Sequence, residues 1–177
     1  DSKEEIRRKI DELLKRLEET IRRSEEHFRR SLDDARKELK RSRDHVRKVN
    51  KELRDRGVSE ELLKEAERST RENEKLLKEL EERLKRHLEE NKKIADKLLE
   101  ELERLVRRLR EVLKKNVDDE ELERLLRDLE RLIREIEKTL EDTNRSNEEL
   151  VRRLKRRLEE SNKRHEDLAD EIRRRTD

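Results

Sequence analysis

The side chains in this sequence with chemistry to offer are four histidines, set among Ser, Thr and Asn that recur at one fixed interval. A step of 18 residues relates Ser24 to Ser42, His27 to His45, Ser69 to His87, Asn73 to Asn91, Thr143 to Ser161, Asn144 to Asn162 and Asn147 to His165. Eighteen residues are five turns of an α-helix, so the members of each pair share one face of one helix. An imidazole in such company can take a neutral, hydrogen-bonded place in a core, bind a metal ion, or exchange a proton near neutral pH.

Each of these uses makes its own demand on the rest of the chain. For metal binding, His27 could face His87 and His45 could face His165. No His-x-x-x-His, no Glu-x-x-His and no central carboxylate accompanies them, so no metal site is assigned. For catalysis, Ser and His occur together without oxyanion donors, a carboxylate orienter or a cleft-forming loop, so no enzyme and no cofactor are expected. For proton exchange, a buried neutral imidazole has its pKa below the ordinary value of about 6.5, because protonation strands a charge away from water. Stability is then intact above the unfolded pKa and falls as pH drops through it. If all four histidines behaved so, mild acid would remove roughly 5 to 11 kcal/mol.

Positioning such side chains calls for long helices. The 177 residues hold 53 Lys or Arg and 51 Asp or Glu, 59 % of the chain, with 27 % apolar, one Gly, one Phe and no Pro, Cys, Met, Trp or Tyr. Without cysteine there is no disulfide framework and no thiolate chemistry. No apolar run has the ~18 to 20 residues of a membrane span and no signal-peptide segment is present, so the chain is expected to be soluble, with no compartment specified. Such a composition fits either a disordered polyampholyte or long helices, and the placement of the apolar residues decides between them.

Stop and start signals occur at two places built on one template. Gly57-Val58-Ser59 reads as a left-handed residue closing one helix, a hydrophobic residue and the N-cap of the next; Asn116-Val117-Asp118 reads the same way. Val58 with Leu63, and Val117 with Leu122, have the spacing of a hydrophobic staple, and Ser2 with Glu5 and Asp118 with Glu121 that of a capping box. This leaves three segments, about 3–56, 60–115 and 119–176, each roughly 80 Å long at 1.5 Å per residue. Short connections make neighbours antiparallel, so the expected fold is all-α, an up-down-up three-helix bundle forming a single domain over 1–177.

In the first segment the stripe runs Ile6, Ile10, Leu13, Leu17, Ile21, Ser24, Phe28, Ser31, Ala35, Leu39, Ser42, Val46, Val49, Leu53. Its 18-residue period does not drift around a helix, which predicts long, nearly straight helices rather than a supercoil. The core-like positions of each segment fill an arc of about 140°, suited to three helices around one core. The positive balance of the first segment and the negative balance of the third favour these two as neighbours. First- and second-helix positions should face each other where their numbers sum to about 117, and second- and third-helix positions at about 234. The polar residues then form a middle slab of Ser24, His27, Ser31, His87, Asn91, Thr143, Asn144 and Asn147, and a second slab of Ser42, His45, Ser69, Thr70, Asn73, Ser161, Asn162 and His165. The remaining third, Ile6–Ile21, Ile94–Leu113 and Leu122–Leu140, is almost purely apolar.

Buried Ser, Thr, Asn and His persist only as satisfied networks, which fix register because a shifted helix would leave polar groups against leucine. Asn73, Asn91, Asn147 and His165 lie mid-arc and are expected inside. His27 and His45 compete with a surface reading, since Lys9 holds the equivalent position one repeat earlier. Basic runs such as Arg173-Arg174-Arg175 are interrupted by acidic residues and lack aromatics, so no nucleic-acid partner is expected; the apolar arcs are used by the bundle, so no membrane surface is either.

The reused turn template, the 18-residue register and the near-exclusive Glu/Lys/Arg/Leu composition resemble de novo designed helical bundles over the whole chain. The slabs holding His27, His87, Asn91 and Asn147, and His45, Asn73, Asn162 and His165, resemble the buried histidine-containing hydrogen-bond networks of pH-responsive designs. That resemblance implies a structural protein with no natural activity, no cofactor and no required partner, opened by mild acid. Two further readings are a module for self-association or for recognition of another helix, and a His-based metal-binding bundle.

Overall fold

Apolar residues at helical spacing, acidic first turns and basic last turns give three helices: α1 (Ser2–Asp55), α2 (Glu60–Lys114) and α3 (Asp119–Thr176). The end charges complement the helix dipoles. The computed structural model describes residues 2–115 and 118–176, apart from the side chain of Ser2, with no strand among them. The molecule is an all-α three-helix bundle, with α1 and α2 each packed on α3. The helix limits match the predicted segments to within a residue or two.

The first turn forms as its template requires. Gly57 has φ +70°, a left-handed conformation that L side chains rarely adopt, and its N–H donates to the Arg54 carbonyl at 3.1 Å. Ser59 caps α2: its Oγ accepts from the Leu62 N–H at 3.4 Å, and its carbonyl takes the first helical bond, from Leu63, at 3.0 Å. Val58 is buried in a cluster with Leu53, Ala66 and Ile172, and Leu63 packs on that cluster as the staple predicts. At the second connection Asn116 and Val117 lie outside the described residues, as does the Ser2 cap; the Asp118 carbonyl starts α3 by accepting from Leu122 at 3.3 Å.

Cross-helix contacts fix direction and register. α1 and α3 run parallel at a nearly constant offset: Ser24 to Asn144 and Ser42 to Asn162 are 120 residues apart, and Arg16 to Glu137, Asp34 to Lys155 and Glu52 to Arg173 are 121 apart. Between α2 and α3, Asn73 bonds Ser161 and Ser69 meets His165, both pairs summing to the predicted 234. Between α1 and α2, Ser42 with Asn73 and Asn50 with Thr70 straddle the predicted 117.

The chain divides into two compact units. The first comprises Asp1–Arg29 and Leu88–Ser146, the second Arg30–His87 and Asn147–Asp177. The first has an apolar core of Ile6, Ile10, Leu17, Leu102, Val106, Leu109, Leu113, Leu122, Leu125, Leu126, Leu129, Ile133 and Ile136, close to the predicted apolar third. Ile94 departs from that expectation at 48 % exposure. It stands at the arc edge, one repeat before the half-buried Val112. In the second unit Ala35, Leu39, Val46, Leu77, Leu154 and Leu158 are buried together with Ser42, Asn73, Ser161 and His165.

Candidate functional site

The second unit contains the most developed polar site, centred on His165 of α3, which is only 1 % exposed. Its Nε2 lies 2.9 Å from Asn50 Oδ1 of α1, and its Nδ1 lies 2.9 Å from Ser69 Oγ of α2. The Asn50 amide Nδ2 donates to Thr70 Oγ1 at 2.6 Å, and Thr70 donates to the Ala66 carbonyl at 2.8 Å. The direction of each bond follows from this backbone anchor. A carbonyl only accepts, so Thr70 spends its hydrogen on Ala66 and accepts from Asn50; Asn50 Oδ1 therefore faces the imidazole, and Nε2 carries the proton. Nδ1 is then the acceptor, filled by the Ser69 hydroxyl.

This ring is neutral for a physical reason. Burial away from water lowers the His165 pKa below 6.5; charge on His45 lowers it further, and Glu166 acts in the opposite direction. His45 itself is half-exposed, its side chain 41 % open, with Nε2 3.1 Å from Glu166 Oε2. Glu166 Oε1 accepts from Arg173 at 3.4 Å, and Arg173 also donates to Asp170 at 2.6 Å and to Glu52 at 3.0 Å. Burial alone would lower the Arg173 pKa, but its bond to Glu166, the nearby Glu52 and its bond to Asp170 together raise it. A charged surface chain through Glu52, Arg173, Glu166 and His45 thus borders the neutral network.

One turn away, a second network joins all three helices. Asn73 of α2, 2 % exposed, donates from Nδ2 to Ser42 Oγ at 3.3 Å and to Ser161 Oγ at 3.0 Å, while Ser42 donates to Asn162 Oδ1 at 2.8 Å. Of the predicted slab, Ser42, Ser69, Thr70, Asn73, Ser161, Asn162 and His165 are joined through hydrogen bonds into these two groups, whereas His45 pairs with Glu166 at the border.

The predicted middle slab is divided between the units. In the first, Ser24 is buried and donates to Asn144 Oδ1 at 3.3 Å, the same contact that Ser42 makes with Asn162 one repeat later. His27, Asn91 and Thr143 of the first unit, and Ser31 and His87 of the second, are half-buried, whereas Asn147 is buried. Two expectations are corrected here. Asn91 is not enclosed as Asn73 is, because it lines a cavity of about 440 Å³ together with Ser24, Ala95, Thr143 and Asn144. Nor are four histidines buried: only His165 is, and His27 and His45 sit where the equivalence with Lys9 places them, at the arc edge.

Asn50 was absent from the predicted set. It is the third member of a series with Leu14 and Leu32, each one repeat apart, so an apolar position turned polar was visible in the sequence. Among the described residues no three His, Asp or Glu side chains converge as metal ligands, and no helix is long and apolar enough to cross a membrane. Comparison with protein-family models, with curated proteins and with solved structures gives no match.

Proposed function

We propose that the chain is a structural protein of the designed-bundle kind, without enzymatic activity, whose helix pairing is specified by buried polar networks and whose second unit is weakened by mild acid through His165. The observation that supports this reading is the placement of His165: fully enclosed, with both ring nitrogens engaged by side chains of the other two helices. A network that draws one partner from each helix penalises any slip in register, because a slipped helix leaves donors and acceptors unmet.

The acid response follows from linkage. The folded-state pKa of His165 lies below the unfolded value of 6.5, so the unfolded chain binds the proton more tightly. The contribution to stability is complete above about pH 6.5 and is lost as pH falls from there toward the folded pKa. The groups whose charge reaches the ring are His45 on α1 and Glu166 on α3; from α2 it meets the Ser69 hydroxyl. With one enclosed imidazole instead of four, the response is a partial loss of stability.

Thermal melts at steps from pH 7.5 to 5.5, where ordinary carboxylates near pH 4 stay ionised, test this in wild type and His165→Asn. The Tm of wild type should fall by several degrees more than that of the variant, which lacks the enclosed imidazole. Equal slopes in the two proteins would sink the acid role.

A further inference from the structure

The quartet Ser42, Asn73, Ser161 and Asn162 has a copy 18 residues along each helix: Ser24, Asn91, Thr143 and Asn144, all within the first unit. The two copies share the serine-to-asparagine bond but differ in what surrounds it. In the second unit, Leu77 stands four residues after Asn73 and is 2 % exposed, and the quartet is closed. In the first unit the matching position is Ala95, and the quartet lines an open cavity of about 440 Å³. One repeat further along α2 the same position is Leu113, again buried. The shorter side chain of Ala95, beside small and polar residues, leaves room at this position of the cavity wall.

We infer that this cavity is a binding site for one small, uncharged molecule with a two- or three-ring apolar body and a hydrogen-bonding group. Its apolar walls come from all three helices, including Phe28, Leu98, Leu99, Ile136 and Leu140, and the polar residues Ser24, Asn91, Thr143 and Asn144 supply hydroxyls and amides. The volume falls in the range of about 300–1,000 Å³ usual for ligand pockets and is roughly three times the ~150 Å³ that holds one benzene. The lining charges, Glu25, Lys92 and Asp96, are solvent-exposed. They leave a net negative balance at the rim, which disfavours anions, and the apolar walls disfavour any ion.

The test uses N-phenyl-1-naphthylamine, an uncharged aromatic amine whose fluorescence rises on leaving water. The chain has no Trp or Tyr to interfere. Wild type should bind it saturably, one per chain. Ala95→Leu and Thr143→Leu, which install the residues found one repeat away at Leu113 and Leu125, should each weaken binding at least ten-fold, with helicity and Tm by circular dichroism equal to or above wild type. A sulfonated, anionic analogue of the probe should bind at least ten-fold more weakly than the neutral one. Absence of saturable binding to wild type, unchanged affinity in whichever variant retains its fold, or equal affinity for the anionic probe would each overturn the assignment.

Discussion

Two single residues carry conformations or bonds that no neighbour can replace. Gly57 holds φ +70° with nothing within 4 Å of where a β-carbon would stand, so a substitution there meets no clash and its cost is conformational. Gly57→Ala should lower stability by about 1 kcal/mol in urea unfolding, with the helix limits unchanged by hydrogen exchange. A loss near zero would mean that the turn relaxes out of the left-handed region. His165 is the other case: its tautomer is dictated three hydrogen bonds away by the Ala66 carbonyl, through Thr70 and Asn50. That dependence explains why the sequence disclosed His165 but not its proton. Periodicity marks a position as inward, whereas the direction of a hydrogen bond depends on which backbone group ends the chain of donors.

At the scale of elements, the apolar stripe and the turn template were sufficient to place all three helices, because a long amphipathic helix without Gly or Pro has few other stable choices. The sums that set neighbouring heights held for Asn73 with Ser161 and for Ser69 with His165. Burial at the arc edges was less legible: His45 and Ile94 occupy positions whose exposure depends on how large the facing residues are, and a one-helix pattern does not contain that. The register role of the networks can be checked by substitution. Asn73→Leu removes the donors reaching Ser42 and Ser161 and should cost about 1–3 kcal/mol. Adding Ser42→Ile, Ser161→Leu and Asn162→Leu, the residues found two repeats away at Ile6, Leu125 and Leu126, should restore or exceed wild-type stability in chemical denaturation, since an all-apolar replacement leaves no group unmet. A quadruple variant weaker than the single one would refute this account.

For the molecule as a whole, the many charges contribute more to solvation than to cohesion. Arg16–Glu137, Asp34–Lys155 and Glu52–Arg173 link α1 to α3, but each has at least one partner about half or more open to water. Exposed pairs are worth about 0.2–1 kcal/mol each and are screened by salt. Raising NaCl from 0.1 to 1 M should therefore lower stability by no more than about 1–2 kcal/mol in urea titrations; a larger loss would show that the α1–α3 interface depends on charge.

The constant offset between α1 and α3 also bears on the order in which the chain assembles. Asn50 reaches Thr70 across 20 residues, whereas Ser42 reaches Asn162 across 120. Closing the longer span first costs about 1.6 kcal/mol more in chain entropy. Antiparallel neighbours can zip outward from a turn, with each new contact only slightly longer than the last, but parallel neighbours never shorten their span: every α1–α3 contact is as remote as the first. Folding should thus run from the Gly57 hairpin toward the docking of α3, and weakening an α1–α3 contact should quicken unfolding while leaving the refolding rate almost untouched.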